Sequence, residues 1–353
     1  MEKQESFLTK TPGELAADFV ANLRHMQARY ANLLAISVTS RCNLKCRHCG
    51  RSCTGEGTDL GPDIVDTLCR QLHELRPWVK EIGITGGEPL LVPQAVRELV
   101  EAAAPHYAVC VMTSGYWASS PAEAKKIIQS FPGLHALVIS TDPYHLPFVP
   151  VDKVRTAFES ARELGLEARI LITLSTQPGP SENLLLEQMK SFAGDDLMTQ
   201  KLKPMGRAGS LQEKFVYNEE VPLIPCTTLG PLIREDGQMI PCCHGLDWLP
   251  SGHPMCVGDL HEKSLVDIFE LYRIHPLVHF LRTWGFPQFF KHLNECAAGL
   301  PLPKIHLDSD QCHTCAELCT SAEVSRALQI LKEDKWFRLR VAGGRYHLLD
   351  EKE

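Results

Sequence analysis

Residues 36–50 read ISVTSRCNLKCRHCG, an apolar start followed by three closely spaced cysteines, Cys42, Cys46 and Cys49. The apolar, β-branched start predicts a strand, so the cysteines fall in the loop that follows it. Loops at strand ends are where β/α folds present their functional groups. Three thiolates with three and two residues between them can bind three irons of an iron–sulfur cube and leave the fourth iron without a protein ligand.

Two other interpretations of this loop stay open on the residues alone. A zinc site normally takes four ligands, and His48 would supply the fourth. A conventional electron-transfer cluster needs a fourth cysteine, and Cys53 lies close by in the sequence. Each of the three interpretations makes the loop a metal centre.

The composition indicates a metal-binding protein of a reducing compartment. The 353-residue chain has 44% hydrophobic and 22% charged residues, as ordinary soluble proteins do. No apolar run approaches the roughly 20 residues that span a bilayer, and the acidic N-terminal segment is not a targeting signal. We therefore expect a cytoplasmic protein, whose 14 cysteines have no reason to form disulfides and point to metal. The net charge of -7 argues against nucleic acid and anionic membranes as partners.

From residue 33 to about residue 203, short β-rich runs alternate with amphipathic stretches of helical period. The predicted strands are 34–38, 81–85, 108–113, 136–141, 168–173 and 197–203, and the predicted helices between them are 62–75, 94–104, 122–130, 153–164 and 183–192. Such repeats imply a parallel sheet with right-handed crossovers. Six units are fewer than the eight of a closed barrel. The predicted fold class is therefore α/β, an open, partial (β/α)6 barrel with a small cysteine-rich C-terminal extension.

The alternation stops near residues 205–209, and the chain beyond is irregular and rich in Pro, Cys and His. Helices are predicted to return at 264–272 and 322–333. We divide the chain into a helical lead-in, a partial barrel, an auxiliary cysteine-rich region and a C-terminal helix with a tail, at residues 1–32, 33–210, 211–321 and 322–353.

A second motif, Gly86-Gly87-Glu88-Pro89, follows the second predicted strand. Paired glycines permit close backbone approach, and a carboxylate can pair with an ammonium group. Together with the cysteine loop, this motif resembles the radical S-adenosylmethionine (SAM) superfamily over roughly residues 33–210. In that family the three cysteines hold a 4Fe–4S cluster, and the GGEP segment meets the methionine amino group of SAM. His48 stands where the family commonly has an aromatic residue.

The resemblance implies further SAM contacts at the strand ends. Ser114 follows the third strand, and Ser140 and Asp142 follow the fourth, where hydroxyl and acid groups would reach the ribose and carboxylate of SAM. Arg207 lies in the segment MGRAG, which recurs in the family as a bridge to the extension, and is a candidate contact to SAM or substrate. For each of these residues, a simple turn is the alternative. The segment 141–145 is also a candidate for binding substrate or for a tight turn.

The later cysteines resemble the SPASM/twitch extension of radical SAM enzymes. Residues 226–243 read CTTLGPLIREDGQMIPCC, a predicted hairpin around Asp236-Gly237, and residues 312–319 read CHTCAELC. The series is shorter than that of a full SPASM domain. A zinc ribbon on the same thiolates stays open, as does a purely structural role for a cluster. The resemblance implies one auxiliary 4Fe–4S cluster on Cys226, Cys242, Cys312 and Cys315, with Cys319 or Cys243 as alternative ligands.

The activity implied by the resemblance is reductive cleavage of SAM to a 5′-deoxyadenosyl radical, which takes a hydrogen atom from a substrate carbon. An external donor such as flavodoxin or ferredoxin would supply the electron. As in radical epimerases, a loop cysteine would return a hydrogen atom, and the candidates are Cys53, Cys243 and Cys256.

Three functions remain open on the sequence. The first hypothesis is peptide maturation by epimerisation or cross-linking. The short stretch before the first predicted strand weakens it, because many peptide maturases carry a leader-binding module there. The second is a radical epimerase or dehydrogenase of a small metabolite, such as a sugar or aminocyclitol. The third, disfavoured by the two motifs together, is a non-catalytic iron–sulfur or zinc protein.

Overall fold

The computed structural model describes residues 32–227, 230–243, 245–308 and 310–351, together with the helical residues Ala17 and Ala21. The predicted helical lead-in at 1–32 lies almost entirely outside the described residues. Among the helices that are described, none is both long and apolar enough to cross a membrane.

The alternation predicted for the first part of the chain is confirmed. The six strands are β1 (Leu33–Ser37), β2 (Glu81–Thr85), β3 (Ala108–Thr113), β4 (Ala136–Thr141), β5 (Glu167–Leu174) and β6 (Leu197–Lys201). The helices between them are α1 (Pro62–Gln71), α2 (Pro93–Ala103), α3 (Pro121–Gln129), α4 (Val151–Glu163) and α5 (Pro180–Ala193). Four of these helices begin with proline, whose fixed φ suits a first turn and whose missing N–H costs nothing there.

The extension consists of short strands and longer helices. The strands are β7 (Tyr217–Asn218), β8 (Leu232–Ile233), β9 (Gln238–Ile240), β10 (Gly258–Asp259) and β11 (His306–Leu307). The helices are α6 (Leu265–Arg273), α7 (Pro276–Cys296), α8 (Gln311–Leu318), α9 (Ala322–Glu333) and α10 (Lys335–Leu349). The sequence predicts α6 and α9 but not α7, α8 or α10. In α7, Gly285 has a φ of 69° and breaks the helix, with Pro287 in the first turn of its second half.

Neighbouring strands from β1 to β6 are parallel and follow chain order. Their carboxyl ends therefore meet at one rim, which is where such folds bind ligands. The other edge of β1 pairs with β8, not with β6, so the barrel is open as predicted. The core of the sheet is apolar, and Leu34 and Ile36 of β1 are fully buried.

The predicted hairpin around Asp236-Gly237 is confirmed as the antiparallel pair β8–β9. Gly237 adopts a φ of 80° in the turn, a conformation that glycine takes readily. Because β8 also runs parallel to β1, the hairpin and β10 continue the barrel sheet to nine strands. The cysteine-rich extension is thus joined to the barrel through backbone hydrogen bonds next to the cysteine loop.

Gly86 and Gly87 bring the loop after β2 against the loop after β1. The Gly87 amide donates to the carbonyl of Thr39 at 2.6 Å, and the Glu88 amide donates to the carbonyl of Arg41 at 2.9 Å. A Cβ on Gly86 would lie 2.6 Å from the Thr39 oxygen, and one on Gly87 would overlap the Arg41 carbonyl. The two loops can therefore approach this closely only because Gly86 and Gly87 have no side chains.

We expect Gly87→Ala to destabilise the fold by about 1–3 kcal/mol, because the added methyl group overpacks against a fixed backbone carbonyl. Urea unfolding monitored by circular dichroism measures the change. Gly55→Ala is the matched control, since a Cβ at Gly55 meets nothing within 4 Å. Equal unfolding midpoints for the two variants would show that the loops separate easily.

Candidate active site

A cavity of about 320 Å³ lies at the carboxyl rim of the six strands, a size that suits a small-molecule ligand. Cys42, Cys46 and Cys49 all contribute to its wall. The ends of the other strands complete the wall, with Gly86, Gly87, Ser114, Ser140, Thr173 and Lys203. The structure therefore brings the first cysteine motif, the two glycines and the two predicted serines to one cavity.

Arg207 also lines this cavity and fastens the cysteine loop to the end of the barrel. Its Nε donates to the carbonyl of Cys46 at 2.9 Å, and its Nη1 donates to the carbonyl of Cys53 at 2.7 Å. Its own amide donates to the carbonyl of Cys49 at 3.0 Å. The preceding Gly206 has a φ of 54°, and a Cβ there would overlap the carbonyl of Gly50. Arg207 thus holds the backbone that carries the three cysteines.

The thiols of the loop differ in their surroundings. Burial raises the pKa of the Cys42 thiol to about 11. The Cys53 thiol hydrogen-bonds to the sulfur of Cys49, which lowers the pKa of Cys49 against the effect of burial and raises the pKa of Cys53. Cys53 is therefore buried in the cavity wall with its thiol directed at a neighbouring sulfur.

The three cysteines of the loop offer thiolate donors, which are the ligands that iron–sulfur clusters take. Among the described residues, the group of three donor atoms within 4.8 Å of one another is Cys46 with His48 and His145, so it includes one cysteine of the triad. Tetrahedral zinc draws its ligands close together, whereas the corners of a cube hold them further apart. Cys42, Cys46 and Cys49 thus fit a 4Fe–4S cluster, and the cavity beside them has room for a small cofactor.

The side chain of Glu88 is buried beside the cavity and does not form part of its wall. Only 1% of it is exposed, and it is not among the residues that line the cavity. Its carboxylate accepts from Thr113 Oγ1 at 2.7 Å, from the amide and Oγ of Ser114 at 2.9 and 2.7 Å, and from the Leu90 amide at 3.2 Å. With these four donors it joins β2 to β3. Gly86 and Gly87 of the same segment line the cavity, and the contact of this segment with the amino group of SAM stays a prediction.

Asp142 is paired with two histidines in the structure, and its predicted contact with SAM stays a prediction. The side chain is fully buried behind the cavity wall, and its Oδ2 lies 2.9 Å from both His48 Nε2 and His145 Nδ1. Burial opposes ionisation, but the two histidines outweigh it and lower the pKa of Asp142. Burial likewise opposes the charged form of His145, yet the carboxylate raises the pKa of His145 to about 10. Asp142 therefore positions two cavity-lining histidines, and the sequence alone does not show this arrangement.

The C-terminal cysteines meet beside the same rim. The phenol of Tyr272 is within electrostatic range of Cys226, Cys242 and Cys243. Cys312 interacts in the same way with Cys243 and with Cys315, and Cys315 hydrogen-bonds to Cys319. Helix α8 presents Cys312 and Cys315 in successive turns, with Asp310 as its N-cap. The four predicted auxiliary ligands and their two alternatives therefore come from three separate segments and gather in one region.

The three hydrogen-donor candidates are placed differently. Cys53 and Cys243 line the cavity, whereas Cys256 does not. The Cys256 thiol donates to the carbonyl of Pro250 at 3.6 Å. Cys256 is thus outside the site, because the chain after β9 turns it toward this loop.

The sequence prediction of the site does not include Arg51 and Lys203, two basic residues that line the cavity. Arg51 contacts Asp247 Oδ2 at 2.7 Å and Glu235 Oε2 at 2.8 Å, and it links the cysteine loop to the extension. Burial opposes the charge of Lys203, but Cys312 and Asp310 raise the pKa of Lys203 to about 12. Their position in the sequence is the one signal that could have predicted them. Arg51 closely follows the cysteine triad, and Lys203 ends the last predicted strand. Basic residues are so common on surfaces that this signal is weak.

Comparisons with known proteins agree with this site. Residues 36–187 match the family model described as the radical SAM superfamily. A relative from Bacillus subtilis (strain 168), described as "Putative peptide biosynthesis protein YydG", is 24% identical over 308 residues, which cover 83% of this chain and 94% of the relative.

Solved structures share the fold. A histidine-tagged form of a protein described as "anSMEcpe with bound AdoMet" aligns with a TM-score of 0.52 and 14% identity over 90% of this chain and 99% of its own. Another, "Native anSMEcpe with bound AdoMet and Kp18Cys peptide", gives 0.51 and 14% over 84% and 98%. The resemblance to the radical SAM superfamily is thus confirmed over residues 36–187, and with the similarity to the Bacillus subtilis relative it supports an enzyme of that class. The solved structures show the same fold.

Proposed function

We propose that this radical SAM enzyme matures a peptide, by epimerising a Cα centre or by joining a side chain to carbon. The observation that supports a peptide substrate is the similarity to YydG, a relative described as a peptide biosynthesis protein, over most of both chains. A neighbour of the same fold is described with a bound peptide. The protein would act in the cytoplasm, with flavodoxin or ferredoxin as its external electron donor.

The family uses a 4Fe–4S cluster and SAM, and we assign the cluster to Cys42, Cys46 and Cys49. When bound, the cluster supplies the electron that cleaves SAM to a 5′-deoxyadenosyl radical. The chain's own task is to orient SAM and the substrate and to exclude water. The backbone of Gly86 and Gly87 would face the methionine end of SAM at the cavity wall.

We also propose roles for other residues that line the cavity. The hydroxyl groups of Ser114 and Ser140 line the same cavity, although Ser114 Oγ already donates to Glu88. They would border the bound nucleotide. Arg207 would keep the cysteine loop in place during turnover, because it holds three carbonyls of that loop.

We assign one auxiliary 4Fe–4S cluster to Cys226, Cys242, Cys312 and Cys315. Cys319 hydrogen-bonds to Cys315 and is the alternative ligand on α8. Lys203 supports this assignment, since it hydrogen-bonds to Cys312 and lines the substrate cavity. A cationic group there offsets the negative charge that thiolates bring to a buried cluster. The auxiliary site would thus border the place where the substrate reacts.

For epimerisation, Cys243 is the hydrogen donor that the geometry favours. It lines the cavity, and burial raises the pKa of its thiol to about 11, so the sulfur keeps its hydrogen at neutral pH. The S–H bond would break and a Cα–H bond would form on the opposite face of the peptide radical. The thiyl radical left on Cys243 then takes up one electron from the external donor and one proton from solvent.

Cys46→Ala should abolish formation of 5′-deoxyadenosine from SAM, because it removes one of the three ligands of the cluster. Chromatography of anaerobic reactions with dithionite measures the product. Cys296→Ala, which changes an exposed thiol at the end of α7, should behave as the wild type. Product formation by the Cys46→Ala variant would refute the assigned ligand set.

Anaerobically reconstituted protein should contain about eight irons per chain if two cubane clusters are present. Cys312→Ala should reduce this to about four while SAM is still cleaved, because the triad remains intact. Iron and sulfide analysis measures both values. A wild-type content near four irons, or stoichiometric zinc beside four irons, would remove the auxiliary iron–sulfur cluster.

Turnover of a precursor peptide in D₂O should place one deuterium at the modified Cα if Cys243 is the donor, because a thiol exchanges its hydrogen with solvent. Cys243→Ala should still cleave SAM but leave no epimerised peptide. The matched control is Cys256→Ala, whose thiol lies outside the cavity. Mass spectrometry and chiral amino-acid analysis give the result. Turnover of a small metabolite, with no change to any peptide encoded beside the gene, would contradict the peptide assignment.

A further inference from the structure

Strand β6 forms one edge of the barrel sheet. It pairs with β5 on one side and ends the nine described strands of this sheet on the other. Thr199, Gln200 and Lys201, the last three residues of the strand, are exposed. An exposed edge strand offers a row of unpaired backbone groups to which another extended chain can add.

The ladder between β5 and β6 shows which backbone groups of β6 are free. The Leu202 amide donates to the carbonyl of Leu174 at 2.7 Å, so Leu202 and every second residue before it face β5. Successive residues of a strand direct their N–H and C=O groups to opposite sides. Thr199 and Lys201 therefore direct theirs away from the sheet. Within the part of the chain that the structure describes, the amides and carbonyls of these two residues have no hydrogen-bond partner.

The free edge extends to the active-site cavity. The end of β6 and the residues after it line the wall of this cavity, with Gln200, Lys201, Leu202 and Lys203. Across the ladder, Gln200 Nε2 donates to Thr173 Oγ1 at 2.9 Å, and Thr173 lines the cavity as well. A chain that lies along β6 would therefore reach the place where the substrate reacts.

The opposite edge of the sheet has a different character. Strand β10 consists of Gly258 and Asp259 alone, and Ile268 of α6 packs against it so closely that a Cβ on Gly258 would lie 3.0 Å away. Neither residue of β10 lines the cavity. Of the two described edges, β6 is thus the one that has room for a further strand and that ends at the active site.

We propose that the peptide substrate binds in an extended conformation along β6, as an added strand that hydrogen-bonds to the amides and carbonyls of Thr199 and Lys201. This inference rests on the proposed function, because it requires a peptide substrate. In this mode of recognition the backbone hydrogen bonds supply affinity. They would hold one residue of the peptide in the cavity while its neighbours are bound along the edge.

Thr199→Pro tests the proposal in the reconstituted enzyme with SAM bound. Proline removes the outward N–H and is tolerated at the free side of an edge strand, where it breaks no bond to β5. The probe is the fluorescently labelled precursor peptide encoded beside the gene. Its dissociation constant, measured by fluorescence anisotropy, should rise about three- to tenfold, the loss expected for one or two hydrogen bonds.

Two control variants separate the backbone group from other effects. Thr199→Val changes the side chain but keeps the amide, so its affinity for the peptide should stay close to that of the wild type. Lys335→Pro introduces proline at the first position of α10, which suits proline, and should leave the affinity unchanged. Iron content and circular dichroism show whether each variant is folded.

The wild-type enzyme gives an independent measurement. Binding of the same peptide should slow hydrogen–deuterium exchange in segment 197–203, followed by mass spectrometry, and should leave β10 unchanged. N-methylation of single residues of the peptide should weaken binding at every second position, because an added strand is bonded through alternate residues.

Wild-type affinity in T199P, with no slower exchange in β6, would overturn this inference and leave the peptide function intact. N-methyl effects without a two-residue period would also overturn it, and this series decides the question if T199P does not fold. An enzyme that modifies no precursor peptide would overturn the proposed function, and this inference with it.

Discussion

The close backbone contact between the cysteine loop and its neighbours is the constraint on which the site depends. Three thiolates serve one cluster only if the loop that carries them has a fixed shape. The loop after β2 supplies two amide hydrogen bonds to it and approaches through Gly86 and Gly87. From the other side, Arg207 holds three of its carbonyls. The loop is therefore clamped between the second unit of the barrel and the segment after the sixth.

Two buried carboxylates contribute to the same rigidity. Glu88 ties β2 to β3, and Asp142 ties the turn after β4 to a histidine of the cysteine loop. A buried charge is costly unless donors surround it, and each of these groups is met by several. Because those donors come from different units, the rim of the barrel acts as one connected layer behind the cavity.

The extension is part of this layer and not a separate attachment. Strand β8 pairs with β1, and Arg51 connects the cysteine loop to Glu235 and Asp247. Lys203 lies between the cavity and Cys312. The two groups of cysteines are thus joined by one sheet and by two partly buried cations. A substrate in the cavity would be bordered by both.

Locally encoded features could be predicted from the order of the residues. The six strands, most helices, the hairpin turn at Asp236-Gly237 and the cysteine triad depend on residues close to one another in the chain, so periodicity and spacing predicted them. The sequence did not predict helices α7 and α8, and the reason is physical. Helix α7 is buried nearly all round and is interrupted by Gly285 and Pro287, so it lacks a regular amphipathic pattern. In α8 the cysteines obscure the amphipathic pattern by which a helix is predicted.

Which side chains meet could not be predicted, because it depends on how distant parts of the chain pack together. Glu88 and Asp142 stand in motifs that suggest cofactor contacts, yet each carboxylate is taken up by partners from other segments. The pairing of β8 with β1, the basic residues Arg51 and Lys203, and the position of Cys256 outside the cavity likewise depend on contacts between distant parts of the chain. A sequence pattern states which groups are available at a strand end, whereas burial and the nearest donors determine what each group binds.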